Sequence, residues 1–79
     1  MNLTPKEQNL AFHIAETLND AKSLLVYERF AQRYSESFLL EVLDTVLKIP
    51  DAKIKNTRGA YFTFLVNQRA NSQKSHDRN

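Results

Sequence analysis

Apolar residues recur three or four positions apart along most of the chain, a spacing that gathers them on one side of a helix. Leu10, Ala11, Ile14 and Leu18 form the first such stripe. Ahead of it, Thr4-Pro5-Lys6-Glu7 supplies a capping hydroxyl, a proline at the first helical position and a glutamate three residues past the cap. A helix is expected from there to about Asn19. Asn19 and Asp20 make a polar break, and either Asp20 or Ser23 can accept the free amide hydrogens that open a second helix, reaching about Tyr34. Its stripe is Leu24, Tyr27, Ala31 and Tyr34, widened by Phe30. Ser35 is the next cap. The third helix carries Leu39, Val42, Leu43 and Val46 on one side and Glu36, Glu41 and Asp44 on the other, until Pro50 forbids its continuation.

The pattern is harder to read after Pro50. Ile54 is the one apolar side chain able to anchor the connection over 50–56. The run Tyr61-Phe62-Thr63-Phe64-Leu65-Val66 has the residue types that favour a strand, yet no second run could pair with it. A fourth helix, about Thr57 to Arg69, is therefore expected, capped by Asn56 or Thr57 and burying Tyr61, Phe64 and Leu65. Asn71 to Asn79 offers no apolar side chain to offset the entropy of ordering. The expected fold is all-α, a compact bundle of about four short helices over residues 1–69 with a disordered polar tail over 70–79.

Composition narrows the picture. Seventy-nine residues hold one core at most, and the absence of cysteine removes disulfides, thiolate metal sites and thiol nucleophiles together. A cytoplasmic location is the expectation. Met1 to Gln8 lacks the basic-then-apolar succession of a secretory signal, and no run is apolar enough to span a membrane. The net charge of +2 conceals an asymmetry: residues 1–52 carry five Lys or Arg against eight Asp or Glu, and residues 53–79 carry six against one. The first part is thus −3 and the second +5, so an anionic partner would meet the C-terminal part.

For catalysis the chain offers little. His13 and His76 lie on different elements, neither with a partner nearby, and Gly59 is the only glycine, which excludes a glycine-rich phosphate loop. Glu41 and Asp44 share a helical face and could hold a cation, although charges so spaced are ordinarily the wet side of an amphipathic helix. No catalytic residue, metal site, cofactor or small-molecule substrate is expected, and the chain reads as a non-enzyme. A helix-turn-helix made of the second and third helices would bring Glu36, Glu41 and Asp44 to the phosphates, which disfavours that docking.

The basic segment Lys53-Ile54-Lys55-Asn56-Thr57-Arg58 is the stronger candidate. Three cations surround the start of a helix, where the dipole already favours anions, so Lys53, Lys55, Asn56 and Arg58 form a candidate nucleic-acid or anion site. Arg58→Ala is expected to leave the domain folded and weaken anion binding. Against this stands the plain reading that Lys53 and Lys55 are solvated and pair loosely with Glu36 or Asp51. The fourth helix adds Tyr61, Phe62 and Phe64, pointing about 100° apart per residue, which one domain face cannot absorb. Either that helix is surrounded by the others, or Tyr61, Phe62 and Arg69 meet a protein partner or a second copy. The function expected is an interaction module binding nucleic acid through the basic segment; the alternative is a self-associating or adaptor domain using the aromatic helix.

The run Ile54-Lys55-Asn56-Thr57-Arg58-Gly59-Ala60-Tyr61-Phe62, with the Leu-Leu-x-Val-Leu helix before it, resembles the C-terminal helical hairpin of phage and plasmid replication initiator and helicase-loader proteins. Those carry Ile/Val-Lys-Asn-Pro, two variable residues and Tyr-Phe, whereas three residues, Arg58, Gly59 and Ala60, separate position 57 from Tyr61-Phe62 here. Thr57 stands here in place of the proline, a departure at the centre of the motif. The resemblance, over residues 35–66, implies a module that binds DNA or a replication partner, with Lys55 and Arg58 nearest the matched positions.

Overall fold

The computed structural model describes residues 3–77, with side chains as far as Asn71. Among them are four α-helices and no strand. Helix α1 spans Pro5–Thr17, and its capping box forms as the sequence requires: the Glu7 N–H donates to Thr4 Oγ1 at 3.1 Å, and the Thr4 N–H donates to Glu7 Oε1 at 3.0 Å. At its other end the Asn19 N–H bonds the Glu16 carbonyl and the Asp20 N–H bonds the Ala15 carbonyl. This is a Schellman closure, and Asn19 takes the left-handed conformation it needs, at φ 54°. Neither Asp20 nor Ser23 caps the second helix through its side chain. A 3-10 turn, Ala21–Ser23, leads instead straight into α2, Leu24–Arg33.

Ser35 does cap α3, Glu36–Leu47, accepting from the Phe38 N–H at 3.2 Å. A second 3-10 turn, Asp51–Lys53, follows Pro50, and α4 spans Arg58–Asp77. Thr57 is its cap, its Oγ1 accepting from the Ala60 N–H at 3.0 Å. Helix α4 thus continues past the Arg69 boundary expected for it, since no proline or glycine follows Gly59 to stop it. The polar tail expected over 70–79 falls in this last stretch, where side chains after Asn71 and all of residues 78 and 79 lie outside the described residues.

One core joins the four helices. The stripes of α1 (Leu10, Ala11, Ile14, Leu18), α2 (Tyr27, Phe30, Ala31) and α3 (Leu39, Val42, Leu43, Val46) are all buried. Helix α4 corrects the expected phase. It buries Phe62 and Val66, while Phe64 is 59% exposed and Tyr61 and Leu65 are only partly covered. Gly59, Phe62 and Val66 follow at i, i+3 and i+7; on this face Gly59 approaches Asp20 and the Tyr27 hydroxyl, and Phe62 packs on the Tyr27 and Phe30 rings of α2. The domain is 18 Å thick against 35 Å in its other two dimensions. That is less than two helix diameters of about 10–12 Å, so no helix is surrounded and each keeps an outer face. No helix among the described residues is long and apolar enough to cross a membrane.

Candidate nucleic-acid interface

The connection into α4 is held from both sides. Arg58 reaches back across the loop, one guanidinium nitrogen donating to the Val46 carbonyl at 2.6 Å and another to the Asp51 carboxylate. A cation is well placed there, because the C-terminus of α3 carries the negative end of its dipole, and the Val46 oxygen, which accepts from the Ile49 N–H at 3.2 Å, has a second lone pair free for the guanidinium. Arg58, expected in the anion site, thus has its charge engaged within the fold, and it does not line the cleft on which Lys53 and Lys55 lie. Asp51, proposed from sequence as a loose partner of those lysines, is the acceptor for Arg58 instead.

With Arg58 removed, the rest of the basic segment comes together. Lys53, Lys55, Asn56 and Thr57 form one wall of a cleft of about 350 Å³, and Ala60, Tyr61 and Phe64 of α4 form the other. Lys53 and Lys55 are exposed and take part in no ion pair among the described residues. The Tyr61 and Phe64 rings stand edge to face, with centroids 6.3 Å apart. At about 100° per residue, Ala60, Tyr61 and Phe64 project from the side of α4 opposite to Gly59, Phe62 and Val66, so the cleft opens away from the core.

Two of the residues expected at a partner surface are elsewhere. Phe62 is wholly buried, its ring edge-on to Tyr27 at 5.6 Å and tilted against Phe30 at 6.2 Å. Arg69 leans on α3, with Glu41 at 4.0 Å and the Thr45 hydroxyl at 3.5 Å. Glu41 therefore faces Arg69, and Asp44 pairs with Lys48 at 2.9 Å, so the two carboxylates considered for a cation each have a basic neighbour. Phe64, assigned to the core from sequence, is the aromatic residue that the cleft presents. His13 is exposed in a shallow groove between α1 and α3, beside the Lys6–Glu36 ion pair.

Gly59 and Tyr27 explain how α4 is seated. The Tyr27 hydroxyl donates to Asp20 Oδ2 at 2.8 Å. Burial first, then the Asp20 hydrogen bond and charge, push the ionisation of that hydroxyl well above its usual range. A methyl group on Gly59 would lie 2.3 Å from Asp20 Oδ2 and 2.8 Å from the Tyr27 hydroxyl. No protein-family model, curated protein or solved structure matches the chain.

Proposed function

We propose that this protein is a non-enzymatic, cytoplasmic interaction module that binds single-stranded nucleic acid in the cleft between the 53–57 segment and α4. The observation that carries the reading is the meeting of Lys53 and Lys55, which take part in no ion pair among the described residues, with an outward phenyl ring, Phe64, in one cleft. A single strand offers what that surface lacks, phosphates for the lysines and an open base face for the ring. Stacking on an aromatic side chain contributes about 1–3 kcal/mol per base and needs no particular sequence. A duplex keeps its base faces covered, so it would meet only the lysines. The resemblance of residues 35–66 to replication initiator and helicase-loader proteins accords with a DNA partner.

Titration of a labelled single strand and the matching duplex at low and moderate salt tests this. Two phosphate contacts give a logarithmic salt slope of about −1.4 for single strands. Single-strand binding that Lys53→Glu with Lys55→Glu abolishes, and that Phe64→Ala weakens about fivefold or more, is the expected result. Flat curves for both oligonucleotides at low salt would end the reading.

A further inference from the structure

A second concavity lies at the junction of α1 and α2, and the nucleic-acid reading makes no use of it. Phe12, Ala15, Ala21 and Leu24 give it an apolar floor and wall, with Glu16 and Asp20 at its polar edge, enclosing about 270 Å³. That volume falls just below the range of about 300–1,000 Å³ typical of small-molecule pockets, and suits one aromatic side chain. Phe12 is 58% exposed here, close to the 59% of Phe64 in the basic cleft. Asp20 gives one oxygen to the Tyr27 hydroxyl, and its other oxygen accepts no hydrogen bond among the described residues. Lys22, exposed and near in sequence, does not line the pocket.

The two concavities complement each other. One presents an outward ring flanked by Lys53 and Lys55; the other presents an apolar hollow flanked by Glu16 and Asp20. They cannot meet within one molecule. Gly59 sets the core side of α4 against Asp20, whereas Phe64 leaves from the opposite side of the same helix. We infer that the hollow at Phe12 and Leu24 receives the Phe64 end of a second copy of this chain, with the lysines of one copy facing Glu16 and Asp20 of the next. The contact joins two different surfaces, so it is head-to-tail, and it repeats from copy to copy unless the rotation happens to close a ring. Contacts built round one ring on each side belong to the small class of interfaces, under about 1,200 Å² in total, so the association is weak and depends on concentration. It also covers the basic cleft, so an occupied cleft and a joined copy exclude each other. The inference stands on the paired surfaces and does not need the nucleic-acid reading.

The test uses the full chain and two variants, Phe12→Ser and Phe64→Ser, each at a residue already more than half exposed. Circular dichroism establishes that both keep their helices. By sedimentation or light scattering, the wild-type mass is expected to rise with concentration at low salt and fall back toward 9.2 kDa at about 0.5 M salt, where the Debye length is only a few Å. Each variant alone is monomeric. Mixed in equal amounts they restore one intact contact, a Phe64 end from the Phe12→Ser chain in the hollow of the Phe64→Ser chain, and the mass stops at twice that of one chain. A wild-type protein that stays monomeric at high concentration and low salt overturns the inference. So does a Phe12→Ser protein that still self-associates, which would place the contact between two α4 helices. The Phe12→Ser protein keeps its oligonucleotide binding if the cleft reading holds, so each idea can fail without the other.

Discussion

Tyr27 and Asp20 are joined by a 2.8 Å hydrogen bond, and Gly59 of α4 packs directly against that bond. Asp20 is delivered to this position by the left-handed Asn19 at the end of α1, and Tyr27 by the buried face of α2. Three elements therefore converge on one pair of polar atoms.

Gly59→Ala should destabilise the protein, against the usual trend. In a helix the exchange ordinarily stabilises by about 0.5–1 kcal/mol. Here the added methyl meets Asp20 Oδ2 at 2.3 Å, and the tyrosine ring, wholly buried, has no room to follow a displaced carboxylate. A buried hydroxyl left without its acceptor costs about 1–3 kcal/mol, which outweighs the helical gain. A thermal melt should show a midpoint lower by roughly 4–8 °C for each kcal/mol lost. In an Asp20→Ala background the same exchange should do much less harm.

Alkaline stability should depend on Tyr27. Its ionisation is raised in the fold above the value of about 10 expected in the unfolded chain. The unfolded state then releases its proton first, so the contribution is fully present below pH ~10 and is lost as pH rises beyond it. Chemical denaturation between about pH 8 and pH 11 should show a fall in stability that is shallower in Tyr27→Phe. Equal slopes for the two proteins would mean that the hydroxyl is not held as described.

Neighbouring aromatic residues of α4 should respond very differently to truncation. Phe62→Ala removes a wholly buried ring packed on Tyr27 and Phe30, at a cost of about 3–5 kcal/mol. In a domain of this size that approaches the whole stability. Phe64→Ala removes a ring that is mostly in water and should leave the denaturation midpoint nearly unchanged. A large loss at Phe64 and a small one at Phe62 would restore the phase expected from sequence.

That phase is where sequence reasoning met its limit. The stripes of α1 and α3 are legible because polar residues flank them; Glu36, Glu41 and Asp44 leave only one side of α3 free to bury. Residues 61–66 are apolar nearly all round, so periodicity alone does not choose a face. A clue was present in Gly59, since a lone glycine inside a helical run marks a close approach, and counting on by three and seven reaches Phe62 and Val66. Lys53, Lys55 and Asn56 are legible as one polar, basic segment because they lie within four positions of each other in sequence. The engagement of Arg58 with Val46 and Asp51 was not visible, since it depends on how the end of α3 meets the start of α4.

Arg58→Ala should therefore act on stability more than on charge. Losing the bond to the Val46 carbonyl should cost about 1 kcal/mol, while the pair with the largely exposed Asp51 adds little. In oligonucleotide titrations its salt slope should match that of the wild type. Lys53→Ala, by contrast, should reduce the magnitude of the slope by about 0.7, the share of one phosphate contact on a single strand.

The bond from Arg58 to the Val46 carbonyl has a wider consequence. It clasps the two ends of the 47–57 segment, turning an open connection into a closed loop whose ends cannot fray independently. Lys53 and Lys55 ride on that loop. Much of the conformational freedom a binding segment would otherwise surrender to its ligand has already been given up in folding, so more of each contact is left to appear as affinity.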